Sequence, residues 1–279
     1  MPLIEQRSAA HYSLVQLVDI FAAGFEGYLV PIAQPVDALA ARMRAEQVDL
    51  HLSRVICVDG EPAGLCLLAQ RGRRVRVAAM GVASSRRGLG LGRALIDEAI
   101  DIARAAGADR LLLEVIASNP AALGLYRSAG FRQIRRLLGH TRAALAPVAA
   151  AEHQLLDHEA LAAAQATEPD LAWPWQLSPH TLVAAAPLQV HALARDAFAL
   201  INPANPERLG LRLLYVIPSA RRQGRARRLL ASIQARHPQA SWDIPAVIPE
   251  ELGAAALAAL GFRPIDLHQL EMELTLGGP

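Results

Sequence analysis

The sequence contains no lysine: all 28 of its basic residues are arginine. Two chemistries fall with that absence. A Schiff-base mechanism needs a lysine amine, and a Walker-type phosphate loop needs Gly-Lys-Ser/Thr. Coding bias explains the excess, because Ala, Leu, Gly, Pro and Arg are all abundant together. Set against 26 acidic residues, the arginines leave a net charge of only +2. Charge is balanced overall and no aromatic residue is interleaved within the arginine clusters at 71–76, 86–87 and 221–228, so no nucleic acid partner is expected.

Cysteine is nearly absent too. Cys57 and Cys66 lie in apolar stretches that suggest the two arms of a hairpin, and both are expected to stay reduced and buried, which points to a cytoplasmic address. The N-terminal stretch around Glu5 and Arg7 lacks a signal-peptide pattern. No apolar run approaches the ~18–20 residues of a membrane span, so no membrane partner is expected. The nine histidines include no His-Glu-x-x-His pair, and no Gly-x-Ser-x-Gly elbow occurs, so neither a metal nor a serine triad is expected. His51 and His140 read as surface or core residues.

The length of 279 residues and the 53% hydrophobic content suffice for two separate cores. Leu14, Leu17, Val18 and Phe21 recur at helical spacing within 10–24, and a second helix fits 36–47. The loop between them, Phe25 to Pro31, carries Glu26 and Tyr28. Apolar runs at 55–58 and 63–69 flank the turn Asp59-Gly60-Glu61-Pro62 and predict a hairpin. A strand over 74–82 leads into a glycine-rich segment. Beyond it, Leu91, Leu95, Ala99, Ile102 and Ala106 mark one buried helix face that stops at Gly107. A strand over 110–118 and a helix over 120–129, with Pro120 in its first turn, follow. The Ala-rich stretch from 142 to 170 reads as a connecting helix plus loop.

Glycines between a strand and a helix allow backbone amides to converge on an anion. The segment here is Arg87-Gly88-Leu89-Gly90-Leu91-Gly92. Arg93 stands where a dinucleotide fingerprint needs its third glycine, which disfavours a dehydrogenase. Downstream lies Asn119-Pro120-Ala121-Ala122-Leu123-Gly124-Leu125-Tyr126-Arg127-Ser128-Ala129-Gly130-Phe131. These two stretches, in this order and spacing, resemble the acetyl-CoA signatures of the GNAT superfamily of N-acetyltransferases over roughly residues 10–140. A weaker copy follows. Arg221-Arg222-Gln223-Gly224-Arg225-Ala226 mirrors the first signature and Leu260-Gly261-Phe262 mirrors the end of the second. Arg87 to Gly130 spans 43 positions, and Arg221 to Gly261 spans 40, which argues for duplication.

The resemblance implies an α/β (α+β) chain of two tandem GNAT-like domains, each a mixed, mostly antiparallel twisted sheet flanked by helices. A catalytic domain is expected over 1–140, a connector over 141–170 and a degenerate second domain over 171–279. The implied co-substrate is acetyl-CoA, and the implied reaction is acetyl transfer to a primary amine by direct attack in a ternary complex. Backbone amides of Arg87, Gly88, Leu89, Gly90, Leu91, Gly92 and Arg93 would hold the pyrophosphate. Met80, Gly81 and Val82 would pair with the pantetheine arm, with an amide near Val82 on the thioester carbonyl. Tyr126 would protonate the departing thiolate. Asn119 caps its helix, touches the cofactor, or does both, with Ala122 beside it.

For the base, Glu114 sits alone in an apolar strand, so it either faces the cleft or pairs with an arginine such as Arg110. Glu26 lies in a loop that lines the acceptor site in the family, with simple surface exposure as its alternative. Aligning the Gly-Phe pairs sets Leu257 opposite Tyr126 and Glu250 opposite Asn119, so the second half is expected not to catalyse. Trp173, Trp175 and Trp242 all fall in that half and suit core packing, a ligand wall or an interdomain contact. The acceptor is expected to be a small-molecule or peptide amine and the assembly a monomer or homodimer. The competing reading is a non-catalytic CoA-binding or scaffold protein.

Overall fold

The structure is a computed structural model that describes residues 2–28, 35–144, 153–185 and 187–277. Leu29, Val30 and Pro31, the end of the loop bearing Glu26 and Tyr28, lie outside the described residues, as do residues 145–152 of the expected connector. The chain divides into two units. Unit 1 is Met1–Arg135 with Leu270–Pro279, and unit 2 is Arg136–Gln269.

Unit 1 opens with β1 (Ile4–Ser8). Helix α1 (Leu14–Gly24) starts where Ser13 and Gln16 form a reciprocal capping box. That cap satisfies two otherwise free amides and fixes the start four residues after the expected position. Next come α2 (Val36–Glu46), β2 (Val48–Val58), β3 (Glu61–Arg71), β4 (Arg74–Val82), α3 (Leu91–Ala105), β5 (Arg110–Ile116) and α4 (Pro120–Ser128), and then β6 (Arg132–Arg142) begins. The hairpin is longer than its apolar runs, because the β2/β3 pairing continues to Val48↔Ala69 beyond them. The sheet runs β1-β2-β3-β4-β5 and closes with residues 270–275. β1 with β2, β2 with β3 and β3 with β4 pair antiparallel, and β4 pairs parallel with β5.

Side chains alternate along each strand, so the two sheet faces carry separate cores. Leu91, Leu95 and Ala99 of α3 pack with Val75, Val77, Leu111 and Leu113 on one face. Leu17 and Phe21 of α1 and Leu39 and Met43 of α2 pack with Val55, Leu65 and Leu67 on the other. Cys57 belongs to the second core and Cys66 to the first. Both are buried free thiols, and the sheet itself separates them.

Unit 2 takes residues 136–142 of β6 and continues with β7 (Gln154–Leu156), α5 (His158–Gln165), α6 (Pro179–Val183), β8 (Gln189–Leu193), β9 (Ala197–Asn202), β10 (Arg208–Val216), α7 (Arg225–Arg236), β11 (Ser241–Pro249), α8 (Glu250–Ala259) and the first half of β12 (Arg263–Thr275). β10 pairs parallel with β11, and β11 pairs antiparallel with β6. Trp175 and Trp242 are core residues here, and Trp173 packs edge-on to Tyr215. Core packing is therefore what Trp175 and Trp242 provide. Each unit has the mixed, mostly antiparallel sheet flanked by helices that the sequence implies.

The unit boundaries differ from a simple succession of domains. β6 pairs with β11 in unit 2 from Leu137 to Arg142, whereas the chain's last strand returns to unit 1. There Leu270, Met272 and Leu276 enter the core beside α3. Glu273 pairs with Arg110 at 2.9 Å, and Glu271 pairs with Arg135. Of the expected connector, residues 154–156 form β7 and His158–Gln165 form α5, both elements of unit 2.

Candidate active site

The pairing of β4 with β5 runs from Arg74↔Arg110 to Val77↔Leu113 and stops there. On its other side β4 stays paired with β3 as far as Gly64↔Val82, with a register shift that passes over Ala78. Residues 78–82 thus keep one partner strand and have an edge that β5 does not pair, an arrangement open to an added extended ligand. Met80, Gly81 and Val82 all lie on this stretch.

Helix α1 meets the same stretch backbone to backbone. A Cβ placed on Gly81 would stand 3.0 Å from the Gly24 carbonyl oxygen, and one on Gly24 would stand 3.1 Å from the Gly81 carbonyl carbon. Arg87 then ties the parts together. Its Nε donates to the Val82 carbonyl at 3.1 Å, and one Nη donates to the carbonyls of Glu26 at 2.9 Å and Gly24 at 3.3 Å. The Ser84 hydroxyl donates to the Glu26 carboxylate. The Glu26 side chain is thus anchored at the end of β4 and exposed.

The glycine loop has the backbone an anion cradle needs. Gly88 and Gly90 sit at φ +80° and +78°, and nothing lies within 4 Å of where a side chain would begin on either. Gly90 is the N-cap of α3, whose first turn has no acidic residue and no side-chain cap, so its free amides and positive dipole end are directed outward. Leu91 is buried and anchors that helix start, while Leu89 is exposed. The Arg93 side chain pairs with Asp97 at 2.7 Å, so along this loop it is the main chain that presents donors. The cradle and the unpaired β4 edge fit the pyrophosphate and pantetheine parts of a CoA thioester.

Tyr126 projects from α4 into the core beside Phe131, with ring centroids 5.9 Å apart. Burial, reinforced by Cys66 and Tyr28, raises its pKa above the ordinary tyrosine value. Cys66, buried in the same core, is pushed up to about 12 by burial. The side chain of Asn119 accepts from the Ala122 amide at 3.1 Å and caps α4. Burial also raises Tyr28, and the Asn119 amide partly offsets this by favouring the phenolate. Tyr28 packs edge-on to Phe25, which stacks on Phe21. Tyr28, Asn119, Cys66 and Tyr126 therefore converge on one place.

Glu114 does not stand free in the cleft, and Arg110, which pairs with Glu273, is not its partner. It is buried in an ion pair with Arg76, whose Nε lies 2.8 Å and Nη2 2.6 Å from one carboxylate oxygen. Arg76 also donates to Glu46 at 2.6 Å, and Glu46 accepts from Arg42 at 3.1 Å. Burial alone would raise the Glu46 pKa, but Arg76 and Arg42 outweigh it and hold the carboxyl below its ordinary value. The same two carboxylates keep the fully buried Arg76 charged against its desolvation. Arg76, Arg42 and Ser84 are site residues that sequence reasoning missed. A charge between Val75 and Val77 was the available signal, since a buried charge requires a partner.

Unit 2 repeats the clamp and the loop without the phenol. Arg221 Nε donates to the Val216 carbonyl at 2.9 Å, as Arg87 does to Val82, and Arg221 also engages Glu168. Arg222 and Gly224 adopt φ 62° and 75° where unit 1 has Gly88 and Gly90. Leu257 is a core residue, and Glu250 pairs with Arg136 at 3.0 Å. Among the described residues no group of three or more His, Cys, Asp or Glu side chains is placed to hold a metal ion, and no helix is long and apolar enough to cross a membrane.

Residues 16–131 match the Acetyltransferase (GNAT) family. A mycothiol acetyltransferase of Clavibacter michiganensis subsp. michiganensis is 42% identical over 74 residues, which cover 26% of this chain and 24% of that one. A streptothricin acetyltransferase of Streptomyces lavendulae is 35% identical over 88 residues, covering 31% of this chain and 47% of that one. The match thus spans less than half the length of either relative. A solved structure described as a tandem GNAT protein from the clavulanic acid biosynthesis pathway superposes over the whole of both chains with a TM-score of 0.67 at 18% identity, which speaks to fold alone.

Proposed function

We propose that this chain, whose residues 16–131 match the Acetyltransferase (GNAT) family, is an acetyl-CoA-dependent N-acetyltransferase whose chemistry is confined to unit 1. The observation that carries the reading is the end of β4/β5 pairing at Val77↔Leu113, with the Gly88/Gly90 loop beyond one end of the free edge and the buried Tyr126 phenol nearby.

In this reading the amides of residues 88–93 bind the pyrophosphate at the start of α3, and residues 80–82 pair with the pantetheine arm as an added strand. Main-chain donors on β4 polarise the thioester carbonyl as negative charge develops on its oxygen. The acceptor is a primary amine, and its unprotonated nitrogen attacks that carbon directly. The new C–N bond forms and its nitrogen sheds a proton to solvent, the C–S bond breaks, and Tyr126 gives its proton to the departing sulfur and regains one from solvent. A phenol whose pKa is raised by burial holds that proton throughout the neutral range.

Glu114 is the first β5 residue past the last β4 pair. Its carboxylate is taken by Arg76, and we assign it a positioning role. Glu26, held by Ser84 at the far end of the β4 edge, is read as a loop anchor. Deprotonation of the amine then follows the acceptor's own acidity. Unit 2 has Leu257 in place of a phenol and is read as non-catalytic.

Incubating the purified protein with acetyl-CoA and a panel of amines, while following free CoA and acetylated amine, tests this reading. Stoichiometric release of both in a single turnover, with no acetyl group on the protein, is expected. CoA binding without transfer to any amine would instead establish the scaffold reading.

A further inference from the structure

Where β4 and β5 part, a backbone carbonyl receives its hydrogen bond from outside the sheet. Ala78 is passed over by the registers on both sides of β4: the β3 pairing steps from Leu67↔Ala79 to Leu68↔Val77, and the β5 pairing has already ended at Val77↔Leu113. Its carbonyl accepts from Arg42 Nη2 at 2.8 Å. Arg42 comes from α2, and its orientation is fixed by Glu46 one turn further on, 3.1 Å from its Nε. Glu46 is held in turn by Arg76 of β4 at 2.6 Å, and Arg76 is held by Glu114 of β5. Helix α2 is thereby connected to both strands that flank the cleft, at the level where they diverge.

We propose that Arg42 is a positioning residue for the thioester cleft: by taking the Ala78 carbonyl it replaces the hydrogen bond a neighbouring strand would supply, and so it keeps β4 and β5 apart. This rests on the function proposed above and deepens it.

The physical basis is the cost of an unmet carbonyl. A buried carbonyl without a donor costs about 1–3 kcal/mol, and the simplest remedy for two adjacent strands is to continue pairing. Continued pairing would consume the β4 edge that receives the pantetheine arm. A guanidinium donor removes the incentive, and a charge-assisted bond is stronger than the neutral bond it replaces. Arginine suits the place because its planar fork donates to Glu46 and to Ala78 at once, from nitrogens in fixed relation. A lysine ammonium on a flexible stem has no such fork.

The test compares Arg42→Met and Arg42→Lys with wild type and with Arg44→Met, a control at an exposed position on the same helix. Acetyl-CoA affinity is read by calorimetry, kcat and KM by steady-state kinetics, and amide exchange across 78–82 and 113–116 by mass spectrometry. Arg42→Met is expected to weaken acetyl-CoA binding and raise its KM at least tenfold, to change kcat at saturation less than threefold, and to slow exchange at 113–116 as the strands extend their pairing. Arg42→Lys recovers part of the affinity, and Arg44→Met matches wild type. A merely structural role lowers Tm while leaving KM and exchange across the cleft unchanged, and that result overturns the inference. If Arg42→Met does not fold, Arg42→Lys decides alone: three- to tenfold weaker binding is expected, and wild-type affinity contradicts the inference. Failure of wild type itself to bind acetyl-CoA refutes the proposed function, whereas tight wild-type binding with unaltered variants refutes only the role of Arg42.

Discussion

Gly24 at the end of α1 and Gly81 near the end of β4 touch through their main chains, so that a methyl group on Gly81 would lie 3.0 Å from the Gly24 carbonyl oxygen. Both neighbours are backbone, which cannot rotate away as a flexible side chain would. Gly81→Ala therefore must push α1, and the Glu26 loop with it, off the β4 edge. A stability loss of about 1–3 kcal/mol and at least a tenfold fall in kcat/KM are expected, measured by denaturant unfolding and steady-state kinetics. Wild-type stability would contradict the contact.

The buried chain Glu46–Arg76–Glu114 predicts an asymmetry. Arg76→Met leaves two carboxylates without their shared cation and is expected to cost about 3–5 kcal/mol. Glu114→Gln leaves Arg76 with Glu46 and is expected to be milder, lowering kcat less than tenfold and preserving the pH dependence that the acceptor amine imposes. A hundredfold loss of kcat in Glu114→Gln with unchanged stability would restore Glu114 as the base.

Residues 270–276 complete unit 1, contributing Leu270, Met272 and Leu276 to its core and Glu271 and Glu273 to ion pairs. A chain ending at residue 140 is therefore expected to lack a cooperative thermal transition, and one ending at 269 to lose unit 1 stability. Cooperative unfolding of the 1–140 fragment, followed by circular dichroism, would show the last strand to be dispensable.

Burial, with His153, Arg236 and His237 nearby, lowers the His191 pKa to about 4. In the unfolded chain it titrates near 6.5. Between these values the unfolded state binds more protons than the folded state, so stability present at pH 7 and above is lost as pH falls from about 6.5 toward 4, by at most about 1.4 kcal/mol per pH unit for this group. His153, whose Nδ1 meets the Ser232 hydroxyl at 2.6 Å, is lowered in the same direction by burial. His191→Phe should reduce the difference in Tm between pH 7.5 and pH 5, and an unreduced difference would contradict this account.

Local signals carried most of what was legible beforehand. The loop from Arg87 to Gly92, the helix face from Leu91 to Ala106 and the Asp59-Gly60 turn each depend on residues close in sequence, where spacing and turn chemistry act directly. The contacts that join distant segments were not readable. Arg76 meets Glu46 and Glu114 only through helix placement and strand register, the closing strand 270–275 gives no local sign of which sheet it completes, and the Gly24–Gly81 contact depends on how a helix crosses a strand. For Glu114, charge in an apolar run revealed the need for a cation without showing which arginine would meet it.

The central claim is that unit 1 transfers the acyl group with Tyr126 as the proton donor to the leaving sulfur. The most direct measurement compares Tyr126→Phe with wild type for acetyl-CoA affinity and for kcat across pH. The account predicts acetyl-CoA affinity within about twofold, kcat reduced at least tenfold, and no descending limb in the wild-type profile up to about pH 10, since burial holds the phenol's pKa above its ordinary value. Undiminished kcat in Tyr126→Phe would contradict the claim.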